Sequence, residues 1–216
     1  MNYLLFLISG TLSAWGVPLP GSIRKTETHP TKSGIIGLTA TCLGITNTME
    51  EEYTQLAKIG FACREDVPGN IMKDFQTVQI GPGIISDRYY LCEAMFTICL
   101  WETEKSPYTL SKISKALNKP RFIPFLGRKC CSLNAAPNPK LIKSENLLSA
   151  FKKYNPPKFL NFNLKEQKDH RIFWEGADQS IKIIRSDQRF DQPIGIRRYS
   201  TRIEHIGWEG GSDVSK

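Results

Sequence analysis

Apolar positions in the first part of the chain fall into short runs separated by polar or glycine-rich segments. Residues 3–9 form a continuous apolar run, which predicts a buried strand. Residues 34–43 form a longer apolar run, which predicts a helix capped by Ser33. Residues 49–59 predict a second, more polar helix, whose first turn carries three glutamates that suit the helix dipole. The chain is therefore expected to open with a strand and two helices.

Three β-prone runs follow these helices. Residues 60–64 and 71–77 predict strands on either side of a turn that contains Pro68 and Gly69. Residues 89–101 are rich in aromatic side chains and cysteine and predict a single long strand.

A second amphipathic element ends the first half of the chain. In residues 109–117, Leu110, Ile113 and Leu117 share one face, which predicts a helix. The first half is therefore β-α-(α)-β-β-β-α. The order strand–helix–strand–strand–helix–strand is the ferredoxin-like pattern, so we predict an α+β fold of this class.

The second half has a less regular pattern, with a helix predicted over residues 144–154. Short strands are expected at residues 171–174, 181–185 and 202–208. A length of 216 residues suits one large domain, or one domain with a small appendage. We therefore predict a ferredoxin-like core over residues 1–133 and a β-containing C-terminal subdomain over residues 134–216, packed on that core.

The charge of the chain is unevenly distributed. Residues 1–118 contain ten Lys or Arg against eleven Asp or Glu, a net charge of −1, whereas residues 119–216 contain nineteen against ten, a net charge of +9. This asymmetry indicates a polyanionic partner. Nucleic acid is favoured over a membrane, because we find no amphipathic helix with an entirely basic polar face. A basic surface that serves only solubility is the alternative.

The cysteines and the apolar runs exclude several other classes. The six cysteines include no CxxC pair and no zinc-finger spacing, so we expect reduced thiols, no metal and no cofactor. No run reaches the roughly 18–20 apolar residues of a membrane-spanning helix. The apolar start is short and has no Lys or Arg before it, so we expect a cytoplasmic protein without a signal peptide.

Two basic, glycine-marked segments are candidates for phosphate binding. In the first, Lys32, Ser33 and Gly34 lie where a helix begins, and free backbone N–H groups there attract anions. An ordinary capped helix packed on the sheet explains the same residues. The segment lacks the order of glycines, lysine and hydroxyl residue that defines a Walker A loop.

The second segment, residues 119–129, combines two prolines, two phenylalanines and a series of cations. The prolines favour an extended backbone. The phenylalanines alternate with Arg121 and precede Arg128 and Lys129, an arrangement that suits stacking on unpaired bases and pairing with phosphates. Alternatively, both phenylalanines belong to the core and only the cations bind.

Catalytic chemistry has little support in the sequence. The three histidines are far apart and belong to no shared motif. Metal-independent RNA cleavage would need a base, an acid and a phosphate clamp, which His29, a tyrosine and Lys32 could supply in principle. A structural histidine explains His29 more simply. We therefore expect no enzyme activity, with an endoribonuclease as the alternative and a protein–protein adaptor as a third class.

Several short motifs occur together in an order that resembles the CasD subunit family of subtype I-E CRISPR Cascade complexes. Examples are PTKSGIIGL at residues 30–38 and SDRYYL at residues 86–91. The matching stretches are residues 3–10, 14–16, 30–38, 42–44, 74–78, 86–91, 119–121, 125–128 and 210–215. Such a series along nearly the whole chain is far more specific than any one motif.

The resemblance implies an RRM-like, ferredoxin-type core of the RAMP superfamily. It implies a cytoplasmic, non-catalytic subunit that grips the 5′ handle of the CRISPR RNA beside the backbone and large subunits of Cascade, and it leaves target DNA open as a further partner. Family members usually carry a β-hairpin thumb between the strand of residues 74–78 and that of Tyr89. Residues 79–87 are glycine-rich and contain no basic residue here, so we predict a short thumb.

On these grounds we predict a set of RNA-binding residues whose cations converge on one groove. The predicted phosphate contacts are Arg24, Lys32, Arg121, Arg128 and Lys129, assisted by the backbone at Ser33, Gly34 and Gly127. The predicted base contacts are Gln76, Arg88 and Tyr89, where strand alternation places Tyr89 and Tyr90 on opposite faces.

Overall fold

The computed structural model describes residues 1–17, 22–79, 83–157, 170–175, 181–189 and 199–209. Its strands are β1 (Asn2–Ser9), β2 (Leu12–Ser13), β3 (Trp15–Gly16), β4 (Thr26–Glu27), β5 (Gly60–Val67), β6 (Asn70–Val78), β7 (Ile84–Cys92), β8 (Met95–Trp101), β9 (Lys140–Lys143), β10 (Arg171–Trp174), β11 (Ile181–Arg189) and β12 (Tyr199–Trp208). Its helices are α1 (Lys32–Leu43), α2 (Glu50–Leu56), α3 (Leu110–Asn118) and α4 (Leu147–Lys153). The matching stretch at residues 210–215 and residues 80–82 of the predicted thumb lie outside the described residues.

The main sheet joins both halves of the chain. Its strand order is β11-β12-β10-β5-β8-β1-β9, and every neighbouring pair is antiparallel. Four adjacent strands follow one another in the chain as β1-α1-β5-β8-α3-β9, with α2 and the β6–β7 pair as additions. Strands β10, β12 and β11 extend the sheet beyond β5. The fold is thus mixed α and β with antiparallel sheets, and the boundary predicted at residue 134 remains a prediction.

Both faces of the main sheet are covered, which explains the unbroken apolar run of β1. Seven of its eight residues are buried. Phe6 belongs to a cluster with Ile113 of α3 and apolar residues of α1. Leu5 points the other way and packs with Phe151 of α4. Because successive side chains of a strand alternate between faces, such a run is expected where helices cover both sides.

Helix α1 begins two residues earlier than predicted, and its N-cap is Thr31 rather than Ser33. The Thr31 hydroxyl accepts a hydrogen bond from the Gly34 N–H at 3.2 Å. A Cβ on Gly34 would lie 2.9 Å from Cε3 of Trp15, so this glycine lets the helix pack closely on the indole. Capping and packing therefore account for this segment.

The prediction of one strand over residues 89–101 is wrong. Strands β7 and β8 divide this run at a turn over Glu93 and Ala94. Glu93 adopts a φ of 56°, and its N–H donates to the Thr11 carbonyl at 3.1 Å. The turn contains neither glycine nor proline, so a contact distant in sequence, rather than a local turn signal, holds it.

Strands β6 and β7 form a hairpin that lies in a second sheet of order β2-β7-β6. Its register runs from Asn70 opposite Cys92 to Val78 opposite Ile84. Each strand has nine residues, so the hairpin reaches well beyond the insertion predicted near residues 79–87.

No helix in the described parts of the chain is both long and apolar enough to cross a bilayer. All six cysteines are free thiols. Among the described residues, no group of three or more potential metal ligands lies together.

Candidate nucleic-acid interface

The structure separates the cations into neutralised and unneutralised groups. Carboxylates pair with the following five cations: Lys32 with Glu175, Arg64 with Asp66, Arg171 with Glu65, Arg185 with Glu204 and Arg202 with Glu204. In the described part of the chain, no carboxylate forms an ion pair with Arg24, Arg88, Arg121, Arg128 or Lys129. The second group is the one that a polyanion could approach.

Lys32 belongs to the first group, so its prediction as a phosphate contact is wrong. Its ammonium donates to both carboxylate oxygens of Glu175, at 3.0 and 2.8 Å, and the residue is 7% exposed. A phosphate would have to displace a largely buried partner to reach it. Ser33 and Gly34 lie in the adjoining cap described above, where their local role is structural.

The prediction that Lys32, Arg121 and Arg128 converge on one groove stays a prediction, and the structure shows that two of these cations lie far apart. Lys32 begins α1, whereas the Arg121 side chain packs against Gly44, just after the last turn, and the Arg121 N–H donates to the Cys42 carbonyl at 2.9 Å. A helix of this length spans about 18 Å at 1.5 Å per residue. The two cations therefore lie at opposite ends of α1.

Three arginines do come together beside the β6–β7 hairpin, and we call Arg24, Arg88 and Arg128 the arginine surface. The backbone of Arg24 bridges that of Arg88, because the Arg24 N–H donates to Asp87 at 2.7 Å and the Tyr89 N–H donates to Arg24 at 2.9 Å. The Arg128 guanidinium donates to the Arg24 carbonyl at 3.0 Å. Residues from three separate stretches of sequence thus meet in one place.

Arg128 is held in this surface by an aromatic ring. Its guanidinium carbon lies 4.6 Å from the centroid of Tyr90, a cation–π distance. The Tyr90 hydroxyl in turn lies 3.7 Å from the sulfur of Cys130. The Nη1 atom of Arg128 is buried and has no hydrogen-bond partner among the described residues. This N–H group is therefore a buried donor without a hydrogen bond, which is unusual in a folded protein.

The hairpin register decides which of the predicted base contacts belong to this surface. Arg88 is opposite Asp74 and Gln76 is opposite Ser86, so Arg88 and Gln76 share a face. The Gln76 amide donates to Asp74 at 2.7 Å. Tyr89 lies on the other face, opposite Lys73, as strand alternation predicts. The hairpin thus separates Tyr89 from the arginine surface.

Gly127 and Lys129 flank Arg128. Gly127 has a φ of +81°, and a Cβ at this position would lie 1.8 Å from the Ala14 carbonyl oxygen. Only glycine fits such a contact in the left-handed region, so Gly127 fixes the path of the chain into Arg128. The side chain of Lys129 is exposed next to it.

His29, the candidate base, lies inside a buried ionic cluster. It is 1% exposed, and its ring stacks on Phe173 with a centroid distance of 3.7 Å. Its Nε2 atom lies 2.9 Å from the Glu204 carboxylate. His170 and His205 are 7% and 1% exposed, so the three histidines of the chain are all buried.

One group of cations was missed from the sequence. Lys112 and Lys115 of α3 line a groove with Lys119 and Arg121. The available signal was the spacing of three lysines at positions 112, 115 and 119, which places them on one side of a helix.

Comparison with known proteins agrees with this architecture. A family model described as CRISPR-associated protein (Cas_Cas5) matches residues 3–205. The chain is 34% identical over 151 residues to the CRISPR system Cascade subunit CasD of Escherichia coli strain K12. This alignment covers 61% of this chain and 67% of that protein.

Two solved structures share the fold. A chain of a CRISPR RNA-guided surveillance complex matches with a TM-score of 0.75 and 20% identity, over 95% of this chain and 89% of that one. A structure described as a Cas protein matches with a TM-score of 0.59 and 23% identity, over 95% and 93%. Because the family model spans most of the sequence, the chain belongs to the Cas5 family of CRISPR-associated proteins.

Proposed function

We propose that this protein is a non-catalytic, RNA-binding subunit of a cytoplasmic Cascade surveillance complex, and that it grips the 5′ handle of the CRISPR RNA. The observation that carries the proposal is the arginine surface, whose three guanidinium groups have no carboxylate partner among the described residues. The relationship to the E. coli CasD subunit supports the assignment to Cascade.

We also assign the core to the ferredoxin-like, RAMP type. The chain order β1-α1-β5-β8-α3-β9 is strand–helix–strand–strand–helix–strand. The spatial order β5-β8-β1-β9 places the first and third of these strands in the centre, with antiparallel pairing throughout. Helix α4 covers the face that α1 and α3 leave open. The RNA site is therefore expected beside the sheet, at the hairpin, rather than on the sheet face.

The chemistry of the arginine surface suits a ribose–phosphate strand. Guanidinium groups donate paired hydrogen bonds that match the oxygens of a phosphate, and no carboxylate among the described residues competes for those of Arg24, Arg88 and Arg128. Gln76 and Lys129 are additional contacts at the edge of the surface.

The β6–β7 hairpin also has an exposed apolar face, which suits contact with partner subunits. Ile71, Phe75 and Ile85 share one face of β6 and β7 and are 53%, 62% and 55% exposed. Large apolar side chains grouped on an exposed face are typical of protein contact sites. We assign this face to contacts with the backbone and large subunits.

Binding without cleavage is preferred over endoribonuclease activity because no histidine is available at the surface. Purified protein incubated with repeat RNA and EDTA is expected to leave the RNA intact. Specific fragments that disappear in the His29→Ala variant would favour the nuclease instead.

The RNA-binding proposal predicts a loss of affinity in the variant Arg24→Ala/Arg88→Ala. In the reconstituted complex, its salt slope for the CRISPR RNA should fall by about 1.4, since each lost phosphate contact on a single strand contributes about 0.7. Filter binding at a series of salt concentrations between about 50 and 200 mM measures this slope.

The matched control is Lys152→Ala/Lys153→Ala, which removes two exposed cations from α4. It should leave the slope unchanged. Equal slopes for the arginine variant and the wild type, in complexes that assemble normally, would refute the arginine surface as the handle site.

A further inference from the structure

A second basic site lies on the helical side of the protein. An open groove of about 590 Å³ lies between the C-terminal end of α1 and one side of α3, and its cations are Lys112, Lys115, Lys119 and Arg121. The three lysines occupy one side of α3 and of the residue that follows it, about one helical turn apart. All four side chains belong to exposed residues.

The charge of this groove is not balanced by the protein around it. None of the residues that line it is acidic, and no ion pair joins its four cations to a carboxylate in the described ranges. The C-terminal ends of α1 and α3 supply about half a negative charge each. Four cations therefore leave a surplus of about three positive charges, more than helix capping explains.

The lining also indicates which anion fits. Among the described residues, no aromatic side chain lines the groove, so unpaired bases would find no ring there on which to stack. Three of its four cations are lysines, which act as point charges without base selectivity. Such a site matches a regular backbone whose bases are already paired. Arg121 lies just beyond the last turn of α1, whereas the arginine surface adjoins Ala14 through Gly127, and the next residue, Trp15, packs on Gly34 in the first turn of α1.

We propose that this groove binds the sugar–phosphate backbone of a DNA duplex, independently of the RNA strand at the arginine surface. The site accepts duplex DNA without sequence preference and depends strongly on salt. It does not require the RNA-binding assignment to be correct, because none of its residues belongs to the arginine surface.

The test compares the full-length wild type with Lys112→Gln/Lys115→Gln/Lys119→Gln, using a fluorescent DNA duplex of arbitrary sequence. Glutamine has nearly the helix propensity of lysine, so α3 should be retained. Anisotropy titrations at salt concentrations between about 50 and 200 mM should give the variant a salt slope lower by about 2.7 than that of the wild type, because three phosphate contacts of about 0.9 each are lost. Duplex affinity at low salt should fall by about tenfold or more.

The control Lys140→Gln/Lys152→Gln/Lys153→Gln removes the same charge from β9 and α4, the latter on the opposite face of the main sheet. It should keep the wild-type slope. The proposal is overturned if the wild type does not bind the duplex, or if the groove variant and the control behave alike. It is also overturned if single-stranded RNA or a polyglutamate peptide loses as much affinity as the duplex.

Discussion

Replacing Glu204 by glutamine is expected to lower the free energy of unfolding by about 3–5 kcal/mol, the usual cost of removing one partner of a buried ion pair. Glu204 has no solvent exposure. Its carboxylate accepts hydrogen bonds from Arg185 and Arg202 and lies 2.9 Å from Nε2 of His29. Glutamine keeps the size of the side chain but removes the charge that these groups share. Urea unfolding at pH 7 measures the loss.

The large effect is expected because the cluster joins segments that are distant in sequence. Glu204 lies on β12 and Arg185 on β11, whereas His29 precedes α1. At the edge of the same cluster, Glu27 pairs with Arg185 and Glu175 pairs with Lys32. The exposed Glu145 forms no ion pair with a described residue, so Glu145→Gln should change stability by less than about 0.5 kcal/mol. A similarly small change for Glu204→Gln would contradict this account.

The same carboxylate should make stability depend on pH. Burial by itself would raise the pKa of Glu204, but the hydrogen bond and charge of His29, with the guanidinium groups of Arg202 and Arg185, lower the pKa from 4.5 to about 2. Because the folded pKa is the lower one, the stabilisation is complete above about pH 4.5 and is lost as pH falls through 2. Its size is about 3 kcal/mol, at 1.36 kcal/mol per pKa unit. Between pH 5 and pH 2, the free energy of unfolding should therefore fall by about 3 kcal/mol less in Glu204→Gln than in the wild type.

The variant Gly127→Ala is expected to destabilise the protein by about 2–5 kcal/mol. A left-handed backbone costs a non-glycine residue about 1–2 kcal/mol, and forcing an extra carbon into a packed contact costs about 1–3 kcal/mol more. The added Cβ would lie 1.8 Å from the Ala14 carbonyl oxygen, so one of the two segments must move. Thermal and urea unfolding measure the loss, and weaker binding of the CRISPR RNA should accompany it because Arg128 follows directly.

Gly83→Ala is a matched control, because Gly83 has a φ of +84° but its added Cβ would meet only Thr77, at 4.0 Å. It should cost only the backbone term of about 1–2 kcal/mol. If both variants lose the same stability, the contact with Ala14 does not constrain the chain.

Much of the secondary structure was accessible from local patterns. The amphipathic helix at residues 109–117 is confirmed as α3, and the strand predicted at residues 171–174 is confirmed as β10. Apolar periodicity was sufficient for both because each buries one face or one run against the core. The turn at Glu93 was inaccessible, since it depends on a hydrogen bond to Thr11 rather than on its own residues.

The binding residues are harder to predict, because the sequence does not show whether a given Lys or Arg is paired with a carboxylate in the folded protein. The sequence favours Lys32 as a phosphate contact, but its ammonium donates to the carboxylate of Glu175, 143 residues away. The sequence predicts that the cations of residues 119–129 form one site. The structure divides them, with Arg121 at the end of α1 and Arg128 on Tyr90. Ion pairing and placement of this kind are tertiary properties.

The sequence by itself determined the order of most strands and helices, the basic character of the second half and the resemblance to CasD, because these depend on local periodicity, on composition and on short motifs. Only the tertiary structure decided which cations remain unneutralised and where they gather. Ion pairs form between residues brought together by folding, and their energies depend on distances and burial that the linear order does not specify. The arginine surface and the lysine groove are therefore products of the fold.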